Sequence, residues 1–211
     1  ISGMRYFVTS PWWLRLIYPK GLTWKIPEKD NVLYLTFDDG PHPEATPYVL
    51  DLLKQYQAKA TFFCIGKNVV ENPAIYQRIL AEGHKVGNHT HNHLNNWKVK
   101  PEEWLQNVKE AAQWIDSDLL RPPYGRITYF SAKVLQDSKP PYRIIMWDVL
   151  SADFDPSLSG EKCGKIVQKN ARKGSVIVFH DSEKALPRMK IALADTLSYF
   201  SDKGFIFKVI E

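Results

Sequence analysis

Two adjacent carboxylates, Asp38 and Asp39, close an apolar run in Thr36-Phe37-Asp38-Asp39-Gly40-Pro41, and the cluster His89-Thr90-His91-Asn92-His93 follows further along the 211-residue chain. Two imidazoles and one carboxylate can fill three positions around a zinc-like ion and leave a fourth open for water. The second carboxylate is then free to act as a base. That combination is the chemistry of metal-assisted hydrolysis. Taken alone, Asp-Asp-Gly-Pro also suits a plain turn with capping aspartates. His89 and His93 share one face if their segment is helical or tightly turned. His91 then points elsewhere, and His42 and His84 read as ordinary polar residues.

Three more positions carry candidate chemistry. Arg121 precedes the stiff turn Pro122-Pro123-Tyr124-Gly125. A guanidinium is a rigid fork suited to holding a carboxylate, and a rigid turn can present a backbone N–H to an oxyanion. His180-Asp181 leaves the apolar run Ser175–Phe179, and a histidine near carboxylates is suited to acid catalysis around neutral pH. Asp148 and Asp153 both lie near a strand end, and spacing leaves either able to serve that histidine.

The elements that must position these groups alternate. Strands are expected over Val32–Phe37, Ala60–Ile65, His84–Gly87, Leu119–Leu120, Tyr142–Trp147, Ser175–Phe179 and Phe205–Ile210. Helices are expected over Pro43–Gln57, Asn68–Glu82, Pro101–Ser117, Ile127–Asp137, Leu158–Ala171 and Leu186–Phe200. Alternation of this kind implies an α/β fold with parallel strands and crossover helices. About seven units suit a compact, incomplete (β/α) barrel, with a doubly wound open sheet as the alternative. The candidate residues fall at strand exits, which in such barrels share one face.

Composition narrows the class. Hydrophobic residues make up 44% and charged residues 24%, as in globular proteins. The net charge is +5, but Lys and Arg are scattered, so no nucleic-acid partner is expected. Cys64 lies in an apolar strand-like run and Cys163 in a polar helix-like one, with no CxxC spacing. No transmembrane segment is expected. No export signal is visible, which favours a cytoplasmic place or one peripheral to the cell envelope. Ile1-Ser2-Gly3 reads as a non-native addition ahead of Met4. The aromatic run Trp12–Tyr18 is expected to cap the core, with a membrane interface as the alternative. Oligomeric state is left open, with a monomer assumed.

Thr36-Phe37-Asp38-Asp39-Gly40-Pro41, His89-Thr90-x-x-His93, Arg121-Pro122-Pro123-Tyr124-Gly125, Asp148-x-x-x-x-Asp153-Phe154 and Val178-Phe179-His180-Asp181 together resemble the ordered motifs of the polysaccharide deacetylases. These are carbohydrate esterase family 4, the NodB homology domain. The resemblance runs from about residue 31 to the C-terminus. It implies a distorted (β/α) barrel of about seven parallel strands, with a segment over residues 1–30 packed on a catalytic domain over residues 31–211. It implies removal of N-acetyl groups from N-acetylglucosamine glycans (chitooligosaccharide or peptidoglycan), with O-deacetylation of xylan as the alternative. By the same resemblance, Asp39, His89 and His93 hold a divalent metal, usually zinc, with cobalt or nickel as alternatives. Asp38 is the base, Arg121 orients it, and the Tyr124 N–H is an oxyanion donor. His180 is the general acid, Asp153 tunes it, and Thr90 supports the histidine loop.

The chain departs from the family pattern at Phe154, where tryptophan is usual, and at Val178, where leucine is usual. Both positions form the acetyl pocket in the family, so the pocket is expected to stay apolar but change shape. A non-catalytic glycan-binding relic predicts a broken triad or a missing base, and this sequence keeps both.

Overall fold

The computed structural model describes residues 6–211; residues 1–5, including Ile1-Ser2-Gly3 and Met4, lie outside the described residues. In chain order the elements are α1 (Leu14–Ile17), β1 (Val32–Asp38), α2 (Ala45–Gln55), β2 (Ala60–Cys64), α3 (Gly66–Glu71), α4 (Pro73–Ala81), β3 (Lys85–Asn88), α5 (Pro101–Ala111) and β4 (Leu119–Leu120). A single 3₁₀ turn (Pro123–Gly125) follows, then α6 (Tyr129–Gln136), β5 (Arg143–Ile144), β6 (Val149–Leu150), α7 (Gly160–Asn170), β7 (Val176–His180), α8 (Leu186–Asp202) and β8 (Ile206–Phe207).

All the strand pairs are parallel, in the order β5-β4-β3-β2-β1-β7-β6, with β8 added to the start of β1. The strands form a curled, incomplete (β/α) barrel. β1 and β2 are buried at every residue, as befits central parallel strands covered on both faces. Phe37 stacks between Phe62 and Phe179, with ring centroids 5.0 and 5.9 Å away. Helices α2, α7 and α8 cover this core with Leu50, Leu53, Val167 and Leu193, all fully buried.

The barrel is open between β5 and β6, which leaves two strand edges with unpaired backbone groups. The segment before β1 covers both. Thr23 bridges to Ile145 on one side, and Thr9 bridges antiparallel to Val149 on the other. Leu150 N donates to Val8 O at 2.8 Å, and Met146 N donates to Thr23 O at 2.7 Å. The aromatic run in this segment does not cap the core throughout. Tyr18 is buried against Trp24, but Trp12, Leu16 and Ile17 face solvent.

Several elements differ from expectation: the helix expected over Pro101–Ser117 ends at Ala111, and the strand expected over Phe205–Ile210 is only Ile206–Phe207. The helix expected over Asn68–Glu82 is two helices, because Pro73 disfavours a helical Asn72 and suits the first turn of α4. The strand expected over Tyr142–Trp147 pairs only at Arg143–Ile144. Beyond it, the carbonyls of Ile145 and Met146 accept from the Arg121 guanidinium instead of from a neighbouring strand. Val149–Leu150 is a strand the sequence did not reveal, and Asp148 precedes it rather than following a strand. Cys64 and Cys163 are both buried free thiols. No described helix is long and apolar enough to cross a membrane.

Candidate active site

Strand exits converge on one cavity of about 520 Å³, lined by Asp38, Asp39, His89, His93, Tyr124, Phe154, Val178 and His180 among others. A larger hollow of about 730 Å³ lies around Tyr34 and Arg143 and contains none of these groups. Arg121 and Asp153 stand behind the cavity wall, both fully buried.

The two adjacent aspartates part company at the end of β1. Asp38 keeps strand geometry and points at Arg121, whose Nη1 donates to Asp38 Oδ1 at 2.7 Å. The same nitrogen donates to Thr36 Oγ1 at 2.7 Å, while Nε and Nη2 serve the Ile145 and Met146 carbonyls at 3.2 and 2.8 Å. The guanidinium also lies 4.2 Å over the Phe63 ring. Asp39 turns the other way, with a φ of 82°. Its Oδ1 is buried without a hydrogen-bond partner, and His93 Nε2 and His89 Nε2 face it at 3.2 and 3.6 Å.

The histidine loop is held from behind. His89 Nδ1 lies 2.7 Å from the Arg121 carbonyl, so that nitrogen donates and Nε2 keeps a free lone pair toward the cavity. Burial pushes His89 down to about 4, against the pull of the Asp38 charge, and the ring is neutral at ordinary pH. Thr90 N donates to Asn88 Oδ1 at 2.8 Å, and Thr90 Oγ1 accepts from Leu94 N at 3.3 Å. His91 turns outward toward Glu110, 3.4 Å away.

Asp39, His89 and His93 offer one ligand atom each, all within 4.8 Å of one another, the sole such group among the described residues. Two neutral-capable imidazoles and one carboxylate with an orphaned buried oxygen fit a divalent cation with open positions. Burial alone favours a protonated Asp39, but the His93, His180 and His89 rings outweigh it and hold the carboxyl well below the usual range.

On the opposite wall His180 leaves β7. Its Nδ1 lies 2.7 Å from Asp153 Oδ1, and its backbone N–H donates to Asp153 Oδ2 at 2.8 Å. Burial works against a charged ring, yet the Asp153 carboxylate, with Asp39 and Asp38 beyond, raises His180 to about 9. Asp148 is elsewhere, accepting from Ser175 Oγ at 2.5 Å. Phe154 meets the His180 ring edge-on at 5.3 Å, and Tyr124 lies 4.6 Å from the His93 ring.

Among the described non-glycine residues, left-handed backbone occurs at Asp39, Thr90, His93, Tyr124 and Ala152 around this cavity, and otherwise only at Gln57. Such conformations cost on the order of 1 kcal/mol each and persist where surrounding contacts impose them.

The sequence did not assign Asp181 a role. It is buried, accepts from Gly40 N at 3.1 Å and from Thr46 Oγ1 at 2.5 Å, and so grips the loop that carries both aspartates. A Cβ on Gly40 would stand 2.0 Å from Asp181 Oδ2, so only glycine fits there. The His180-Asp181 dipeptide was the available signal. Trp147, Leu150 and Tyr6 also line the cavity without having been singled out.

A sequence model described as polysaccharide deacetylase matches residues 25–140. A peptidoglycan-N-acetylglucosamine deacetylase of Bacillus cereus is 37% identical over 196 residues, covering 90% of this chain and 91% of that protein. A chitooligosaccharide deacetylase of Azorhizobium caulinodans is 33% identical over 165 residues, covering 74% and 77%. The peptidoglycan-N-acetylglucosamine deacetylase PgdA of Listeria monocytogenes is 32% identical over 198 residues, and there the chain spans 41% of the relative's length. The crystal structure of the Bc1960 peptidoglycan N-acetylglucosamine deacetylase superposes with a TM-score of 0.84 at 32% identity, covering 90% of this chain and 91% of that one. By sequence along most of its length and by the arrangement of its strands, the chain belongs to the polysaccharide deacetylase family, the carbohydrate esterases of NodB type, and is an enzyme of that family.

Proposed function

We propose that this enzyme hydrolyses N-acetyl groups of an N-acetylglucosamine glycan, either chitooligosaccharide or peptidoglycan. The observation that carries the reading is the division of labour between neighbours. Asp39 faces two histidines while Asp38 is clamped by Arg121, across a cavity from a histidine paired to its own carboxylate. The activities named for the Bacillus cereus and Azorhizobium relatives support the substrate class.

Asp39, His89 and His93 would hold a divalent metal, zinc by donor type, with cobalt or nickel able to substitute. Such an ion, when bound, supplies Lewis-acid activation of a water and of the acetyl carbonyl. Asp38 takes the proton of the attacking water, and Arg121 keeps its carboxylate aimed. The Tyr124 backbone N–H offers a hydrogen bond to the developing oxyanion. Phe154 and Val178 enclose the acetyl methyl. His180, held protonated by Asp153, gives its proton to the nitrogen as the amide C–N bond breaks, leaving acetate and a free amine.

The test is acetate release from chitooligosaccharides, peptidoglycan and acetylated xylan, with chelator and after zinc is restored. Release from the N-acetylated glycans, lost in chelator, is expected. Asp38→Asn and His180→Ala should each lower turnover by roughly 100- to 10,000-fold while bound metal is unchanged. Full activity in strong chelator, or release from acetylated xylan alone, would overturn the reading.

A further inference from the structure

The family match begins at residue 25, yet one wall of the cavity comes from further upstream. Thr9 pairs antiparallel with Val149, Leu150 N donates to Val8 O at 2.8 Å, and Ser10 N donates to Asp148 O at 3.2 Å. In an antiparallel pair, stepping back along one strand moves forward along the other. Residues before Val8 are therefore carried past the end of β6, to the level where the strand exits build the site. Ser10 Oγ donates to the Trp147 carbonyl at 2.5 Å and locks this register.

Tyr6 is the residue so delivered. Its ring meets Phe154 edge-on with centroids 5.0 Å apart, and Phe154 in turn meets His180 at 5.3 Å. The Tyr6 hydroxyl donates to Asp155 Oδ2 at 2.5 Å, which leaves its ring, not its oxygen, as the surface offered to the cavity. Asp155 Oδ1 accepts from Ser157 N at 2.9 Å, so the loop after Asp153 is tied on both sides. An aromatic ring from upstream of the family match thus joins Leu150, Phe154 and Val178 in lining the cavity.

We propose that Tyr6 is a specificity-determining residue: its ring, backing Phe154, limits the accepted N-acyl group to acetyl. The inference rests on the deacetylase reading. Excluding one methylene from an apolar pocket changes kcat/KM by about 10- to 200-fold. Removing the wall should therefore relax discrimination on that scale without touching the proton-transfer groups.

The experiment compares kcat/KM of the full chain on chitooligosaccharides carrying N-acetyl, N-propionyl or N-butyryl groups. Wild type should prefer acetyl. Tyr6→Ala should lower the acetyl-to-butyryl preference about tenfold or more, chiefly by raising the butyryl rate. Tyr6→Phe, which keeps the ring and drops the bond to Asp155, should keep the wild-type preference. Melting curves check folding, and Tyr6→Leu carries the same test if Tyr6→Ala does not fold. An unchanged preference in folded Tyr6→Ala or Tyr6→Leu overturns the assignment, as does a preference lost in Tyr6→Phe. A wild type inert on all three substrates overturns the deacetylase reading and this one with it. Activity on acetyl with an unchanged ratio in the variants sinks the role of Tyr6 alone.

Discussion

Arg121 Nη1 lies 2.7 Å from Asp38 Oδ1, and the Arg121 carbonyl lies 2.7 Å from His89 Nδ1. One residue thus orients the proposed base with its side chain and a proposed metal ligand with its backbone. The side chain is fully buried, and burial works against its charge while Asp38 works for it. Neither member of the pair is tolerable there alone.

Removing the guanidinium should therefore cost stability as well as activity. Arg121→Met leaves Asp38 as an unpaired carboxylate in the interior, a change worth about 3–5 kcal/mol. For a chain of this size that corresponds to a fall in Tm on the order of 10 °C. Arg121→Lys restores a charge but cannot reach four acceptors from one ammonium, so it should recover only part of the loss. Calorimetry beside acetate release checks this. An Arg121→Met protein with the wild-type melting temperature would show that Asp38 needs no such partner.

The bond between Asp153 and His180 makes a prediction about pH. A histidine raised to about 9 stays protonated through neutral pH and loses its proton as pH climbs past that value. As the donor to the leaving amine, it should set the alkaline limb of kcat/KM. Burial alone would depress it, so the Asp153 charge is what holds it up. Asp153→Asn keeps the shape and removes the charge, and should move the alkaline limb to lower pH by about one unit or more. The stability part has the same sign: the bond's contribution is complete below the unfolded value of 6.5 and is lost as pH rises toward 9. An alkaline limb that stays in place in Asp153→Asn would detach Asp153 from His180.

What could be read from the chain was what local pattern encodes. β1, β2 and β7 are continuous apolar runs, and each announces itself. Pro73 carried the signal that splits the helix expected over Asn68–Glu82, in plain view. β6 could not be read this way. Val149 and Leu150 form a strand because Ile177 and Val178 pair with them on one side and Thr9 on the other. The shortened β5 has a similar cause, since Arg121 takes the carbonyls that a longer ladder would use. Asp148 and Asp153 are alike by type and neighbourhood. The motif resemblance singles out Asp153, and in the fold Asp153 lies against His180 while Asp148 lies against Ser175. The aromatic run near the N-terminus has core-like composition, but none of the four residues of α1 is fully buried, and only Leu14 packs against the core.

Asp181 shows how a residue outside the proposed chemistry can still govern it. Its carboxyl is buried and holds Gly40 N and Thr46 Oγ1, while its own N–H donates to the Asp38 carbonyl at 3.1 Å. Burial, aided by the Asp39 charge, raises Asp181 to about 8, and the bonds from Thr46 and Gly40 only partly oppose this. A carboxyl whose folded value lies above its unfolded 3.8 is held neutral by the fold. Its contribution to stability is complete below about 4 and is lost as pH rises through about 8. In protein kept free of metal by chelator, the urea midpoint should fall across that window. Asp181→Asn, neutral at every pH, should start from lower stability because Thr46 must redirect its hydroxyl. It should then fall less steeply between pH 4 and pH 8, so that the two curves converge. Curves that run parallel over this range would mean that Asp181 is ionised throughout. Its grip on the loop of Asp38 and Asp39 would then be that of a charged acceptor rather than a neutral one.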